Sequence, residues 1–173
     1  MSHRLSVSLS KGLIELRRIG MFHRDIAPEN MMIHNDGIIH IDFGTARLVP
    51  FDESSGYRML VYHEDVAFGR WAYLPPETAS NRDFDGYSLD LWAIIVILYR
   101  LVTGELPWDR AHLSDNAFQL VRHGRLDLLL RLRGIKLSPS LVDLFHQFFR
   151  EDPRDRLGLN QILNHPWLNS GDL

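Results

Sequence analysis

Residues from Ser88 to Val102 are apolar on nearly every side, and the run closes at Gly104. A helix with that pattern has no face to offer water, so it must lie inside a protein, and glycine just past its end is the usual stop. Such a helix needs other elements wrapped around it. At 173 residues and 45% apolar, the chain is long enough for one domain with a real core and too short for two ordinary ones. The wrapping elements are legible as shorter helical patterns at Asn116 to His123, Leu126 to Leu132, Ser138 to Arg150 and Leu159 to Asn164. Before them, Leu9, Leu13, Leu16 and Ile19 recur at helical spacing and predict a helix over about 5–19 with Gly20 closing it. The expected fold is mainly α with one small β-hairpin, an α+β class, in a single domain over 1–173.

The hairpin comes from "MMIH", "NDG" and "IIHI", two β-rich runs about a turn. Centred on Asp36, it sets His34 opposite Ile38, Ile33 opposite Ile39, Met32 opposite His40 and Met31 opposite Ile41. The next rung faces Asn30 with Asp42. Directly opposed residues have Cβ atoms roughly 4.5 to 5.5 Å apart, so an amide oxygen and a carboxylate converge beyond the strand ends. That pair suits Mg²⁺, which takes a few oxygen ligands and completes its shell with water and phosphate oxygens. Asp25, on the loop entering the first strand, is then close enough to orient an incoming hydroxyl. Taken singly, an Asp or Asn beside a hairpin is more often a turn former. An acid beside a metal–phosphate site points to phosphoryl transfer. Residues 45–76 keep neither a helical nor an alternating period and read as a long loop.

These residues resemble the large, C-terminal lobe of a eukaryotic protein kinase. His23-Arg24-Asp25, four residues, then Asn30 is similar to the family's catalytic loop (23–30), and Asp42-Phe43-Gly44 to its metal-binding triplet. "GRWAYLPPE" at 69–77 resembles the end of the substrate-facing activation segment (42–77), with Pro75 in the usual Ala place. "DLW" at 90–92 resembles the start of the central helix, about 88–103, and "EDPRDRL" with "HPWL" at 165–168 the C-terminal helices. The resemblance implies that Asp25 is the catalytic acid-base group and that Asn30 and Asp42 hold Mg²⁺ against ATP. It implies a protein substrate, a structural role for His23, Phe43 and Gly44, and pairing of Glu77 with Arg156. Asp90 has two readings: an acid in a first helical turn, favoured by the macrodipole, or the family's acceptor for catalytic-loop backbone. His34, His40 and His63 lack metal-ligand spacing.

The chain also departs from the pattern. Kinases acting on Ser or Thr usually carry Lys two residues after the catalytic Asp, where Ala27 stands, and Thr where Arg70 stands. One expectation is that Arg70 approaches Asp25 or the γ-phosphate and replaces the lost charge; the other is a solvent-facing Arg. Pro28-Glu29-Asn30 and "HPWL" favour the Ser/Thr type over the tyrosine type. Arg24 marks the subgroup in which this Arg pairs with a phosphorylated residue, for which Ser54, Ser55, Tyr57 and Tyr62 are candidates. Asp52, Glu53, Glu64 and Asp65 could supply standing charge instead.

No glycine-rich loop, strand Lys, helix Glu or hinge precedes the first helix, so the small lobe is expected to be missing or supplied from outside the chain. Weak ATP binding, poor turnover and an exposed apolar docking face follow as expectations. A kinase-like module that binds partners without catalysis is the alternative. A small-molecule phosphotransferase is disfavoured by the "DFG" and "PPE" runs.

Composition bounds the partners. The formal charge of −3 offers no basic stripe for a nucleic acid, although only Lys11 and Lys136 among the 19 cationic residues are not Arg. No cysteine is present, which fits a reducing compartment, cytoplasmic or nuclear. The longest apolar run, Leu91 to Tyr99, is nine residues where a membrane span needs roughly 20, so no membrane is expected.

Overall fold

The computed structural model describes residues 11–170 apart from 36, 56, 59, 62–69 and 80–82. The first six residues of the predicted N-terminal helix, and Tyr62, His63, Glu64 and Asp65, therefore lie outside the described residues. The described part of that helix, α1, covers 11–18, and Gly20 follows it at φ 76°.

The apolar run is the helix α2, Gly86–Thr103, with every residue from Leu89 to Tyr99 buried. It starts two residues earlier than its apolar pattern because Asp85 caps it, accepting from the Tyr87 backbone N–H at 2.9 Å. It ends at Gly104, whose φ of 80° is the left-handed stop. By length and a mean hydropathy of 1.4 this helix is comparable with a membrane-crossing one, yet 67% of it is buried within the protein, as in a core helix.

The helices α3 (Asn116–Arg122), α4 (Leu126–Leu132), α5 (Pro139–Phe148) and α6 (Leu159–Leu163) contribute their buried side chains to the same core as α2. The contact is largely aromatic: Trp92 stacks on Trp108 at 5.5 Å and meets Phe149 edge-on, and Tyr99 packs against Phe145. A last helix, α7 (Pro166–Ser170), buries Trp167 and Leu168. The mainly α class with short antiparallel strands is the fold observed.

The strands differ from expectation in two ways. The loop predicted over 45–76 contains β4 (Arg47–Leu48), which pairs with β1 (Met21–Phe22), and the ribbon β5 (Phe51–Asp52) with β6 (Tyr57–Arg58). Elements two residues long carry no periodicity, so sequence patterning could not reveal them.

The main hairpin, β2 (Met31–His34) with β3 (Gly37–His40), forms as expected but in another register. Met31 faces His40, Met32 faces Ile39, Ile33 faces Ile38 and His34 faces Gly37. The last pair is thus His34 with Gly37, and the hairpin is not symmetric about position 36 as expected. Asn35 has φ 47°, the positive value that the favoured two-residue hairpin turns require and that Asn tolerates.

A second, smaller core of Phe22, Val49, Val61, Phe84 and Leu89 joins β1 to the start of α2. Gly86 makes this approach possible: a Cβ there would fall 2.8 Å from the Phe22 ring. The residues that follow Phe22 are thereby delivered onto the first turns of α2.

Candidate active site

The first consequence of that delivery is a buried junction. The backbone N–H groups of His23 and Arg24 donate to Asp90 Oδ2 and Oδ1 at 2.6 and 2.9 Å. Asp90 is 2% exposed, and burial pushes its carboxyl up to about 7 against the opposing pull of the two N–H donors. Arg24 sits at φ 75°, a conformation the junction holds in place. Its Nη1 donates to the Thr45 carbonyl at 3.2 Å, while Thr45 Oγ1 donates to the His23 carbonyl at 2.9 Å.

His23 is fully buried, and desolvation lowers its pKa below the ordinary histidine value. The ring is therefore neutral at pH 7, with Nε2–H donating to the Ile41 carbonyl at 3.1 Å. Phe43 packs against it with ring centroids 4.8 Å apart and keeps 49% of its surface exposed. One histidine thus ties the Asp25 loop to the Asp42 turn.

Beyond the junction, Asn30 fixes Asp25. Its Nδ2 donates both to the Asp25 carbonyl and to Asp25 Oδ2, each at 2.8 Å. The amide nitrogen is then committed, which leaves the amide oxygen of Asn30 and Oδ1 of Asp25 to act on something else. Asn30 is buried and Asp25 half-buried, so the carboxylate is held by protein on one side and open on the other.

The direct opposition expected between Asn30 and Asp42 does not occur. In the observed register Asn30 is partnered by Ile41, whose N–H donates to the Asn30 carbonyl at 2.9 Å. A slip of one residue exchanges strand faces, so Asp42 is aimed by another device. It lies in the left-handed region at φ 63° and caps the short turn Phe43–Thr45, accepting from the Gly44 N–H at 3.3 Å. Gly44 has no side chain to crowd that contact: a Cβ there would sit 3.2 Å from Asp42 Oδ1. Asp42 is exposed. An amide oxygen and a carboxylate are hard donors, and this set fits Mg²⁺ in kind.

Arg70, one of whose expected destinations was Asp25, instead forms an ion pair with Glu29 between two half-exposed side chains. Ala27 is 1% exposed within the main core and carries no charge. Glu77 and Arg156 form a two-pronged pair, Nη1 to Oε1 at 2.7 Å and Nη2 to Oε2 at 2.6 Å. Ser54 and Ser55 are exposed.

Sequence reasoning missed three contributors: Thr45, Ile41 and Gly86. Only Gly86 carried a signal, a small residue opening an otherwise bulky helix.

Comparison with known proteins adds an independent result. Residues 2–168 match the family described as protein kinase domain. The chain is 33% identical over 156 residues to maternal embryonic leucine zipper kinase of Xenopus laevis, covering 88% of this chain and 22% of that protein. It is 32% identical over 170 residues to serine/threonine-protein kinase stk11 of Xenopus laevis, covering 96% and 36%. With serine/threonine-protein kinase chk1 of Schizosaccharomyces pombe the identity is 30% over 163 residues, covering 94% and 31%. The chain spans about a fifth to a third of the length of these relatives.

Proposed function

The chain belongs to the protein kinase family, and from that premise we propose that it transfers the γ-phosphate of ATP to a Ser or Thr hydroxyl of a protein. The observation that carries this reading is the Asn30 amide held between the Asp25 carbonyl and carboxylate. It turns Asp25 into an oriented base: Oδ2 is fixed, and Oδ1 accepts the hydroxyl proton as the oxygen attacks phosphorus. Asn30 through its amide oxygen and Asp42 through its carboxylate would hold Mg²⁺, which when bound neutralises phosphate charge. His23, Arg24 and Asp90 keep the Asp25 loop in position, and Phe43 and Gly44 set the Asp42 turn. Glu77 with Arg156 anchors the segment that would face the substrate. Ser/Thr selectivity is supported by two of the similar proteins, which are serine/threonine-protein kinases.

The grip on the α- and β-phosphates we assign to a small lobe or partner outside these residues. Exposed apolar side chains support it: Met32 and Ile39, paired across the hairpin, Ile33 on its other face, and Phe43 beyond it. The test is Mg²⁺-dependent transfer of labelled phosphate to a mixed protein substrate, followed by phosphoamino acid analysis. Phosphoserine or phosphothreonine is expected, with Asp25→Asn lowering the rate about 10²- to 10⁴-fold. Transfer that survives Asp25→Asn, or phosphotyrosine as the product, overturns the reading.

One observation favours a second reading, a non-catalytic kinase-like binding module. Ala27 brings no cation, and Arg70 is engaged by Glu29. ATP binding without any transfer, even with a small lobe supplied, would decide for it.

A further inference from the structure

Against the junction that holds the Asp25 loop lies a partly enclosed cavity of about 150 Å³. Its walls come from α1, the first turns of α2, the end of α5 and the segment leading into α6. Leu13, Leu16, Leu91, Phe148 and Leu159, all buried, supply its apolar surface. At the rim the exposed Arg17 lies over the Tyr87 ring, its Cζ 5.1 Å from the centroid. Two further lining residues are anchors of the candidate active site. Asp90 accepts the N–H groups of His23 and Arg24, and Arg156 holds Glu77. One space thus touches both the holdfast of the Asp25 loop and that of the substrate-facing segment.

The polar groups in the lining are served from within the protein. Asp85 accepts from the Tyr87 N–H and the Ser88 hydroxyl, Asp90 from its two backbone N–H groups. Arg156 donates to Glu77 and to the carbonyls of Arg150 and Glu151. A buried water needs two to four polar partners, and these are already engaged, so the space favours an apolar guest. Its charges nearly cancel: Arg17 and Arg156 stand against Asp85, Asp90 and the Glu77 behind Arg156, with the Asp90 carboxyl raised to about 7 and so only partly ionised. An ion would give up its hydration here without an opposite charge to receive it. An apolar cavity of about 150 Å³ is known to take one benzene ring. Phe148 and Met21 in the walls suit the edge and face of such a ring.

We propose that this cavity is a regulatory site for a neutral molecule of one aromatic ring, and that filling it steadies the Asp25 loop and the Glu77 segment together. The regulatory role rests on the kinase reading above; the binding itself does not. Opening either anchor breaks a cavity wall and releases the guest, so the guest's binding energy opposes the opening.

Phenol is the probe, one ring in size and neutral at pH 7. Titrated into the isotope-labelled 173-residue chain, it should shift the backbone amide signals of Leu16, Leu91 and Leu159 saturably, with half-saturation on the order of 1 mM. At about ten times that concentration, hydrogen exchange at the His23 and Arg24 amides should slow about tenfold, the factor by which a bound guest suppresses opening. Benzoate and benzylammonium, which put a charge on the same ring, should bind about tenfold more weakly or worse. Leu16→Phe fills the space and should abolish the shifts, whereas Leu159→Ala enlarges it and should bind indole several-fold more tightly than the wild type does. Loss in one variant and gain in the other is not what unfolding produces. Absence of saturable shifts, binding that survives Leu16→Phe, or equal affinity for a charged analogue overturns the site. Phenol binding that leaves exchange at His23 and Arg24 unchanged overturns the regulatory role. None of these readouts uses ATP, so a failure of phosphate transfer would remove the kinase reading without producing any of these results.

Discussion

Replacing Arg156 with alanine should be the most destabilising change near the site. Its side chain is 3% exposed and that of Glu77 14%, so removing the guanidinium takes both charge-assisted bonds from a largely desolvated carboxylate. Four hydrogen bonds are lost: two charge-assisted ones to Glu77, and two to the carbonyls of Arg150 and Glu151 at 2.8 and 2.9 Å. The guanidinium also leaves the face of Trp92, which it covers at 4.4 Å. Breaking a buried pair by removing one partner costs roughly 3 to 5 kcal/mol, and the lost carbonyl and ring contacts place Arg156→Ala at about 4. For a chain of this size that is a fall in Tm of roughly 8 to 16 °C. Glu77→Ala should cost less, about 2 to 3 kcal/mol, because Arg156 keeps its two carbonyls and Trp92. The double variant should be little worse than Arg156→Ala alone. Urea unfolding followed by far-UV circular dichroism, with the slope held constant, measures all three. A cost below about 1 kcal/mol for Arg156→Ala, the level of a surface pair, would refute the reasoning. Strict additivity in the double variant would do so as well.

Two further changes probe the junction beneath the Asp25 loop. Asp90 has a folded-state pKa of about 7, above its unfolded value of 3.8, so the fold binds its proton more tightly. The associated stability is full below 3.8, falls as pH rises and is gone above about 7, so wild type should lose on the order of a few kcal/mol relative to Asp90→Asn between pH 5 and 8. A flat difference in urea stability across that range would contradict this. Gly86→Ala would drive a methyl into the Phe22 ring and should cost about 1 to 3 kcal/mol by thermal unfolding, loosening the His23 and Arg24 bonds to Asp90. An unshifted Tm would contradict a tight approach of β1 to α2 at Gly86.

Legibility followed length and repetition. The helix Gly86–Thr103 was readable because eleven consecutive residues, Leu89 to Tyr99, agree on burial, and its end was readable because Gly104 takes a conformation other residues avoid. The hairpin was readable as an element but not in register. "NDG" can form either a one- or a two-residue connection, and only the twist demanded by paired strands selects the turn with Asn35 at positive φ. The two-residue strands left no pattern to read.

At the site, the local part was in the sequence. Asp25 and Asn30 are five residues apart and meet through a short turn, and Asp42 and Gly44 meet within three residues, so chain geometry alone brings each pair together. Long-range partners were a different matter. That Arg70 finds Glu29 instead of Asp25, and that Arg100 and Arg110 reach Tyr73 and Trp71, depends on how α2 and the loop after it are placed. Identity and spacing state which groups a chain possesses and which near neighbours they reach. Which distant charge each one meets is decided by packing around the core helix, because a side chain spans only a few ångströms and the fold alone sets what lies within them.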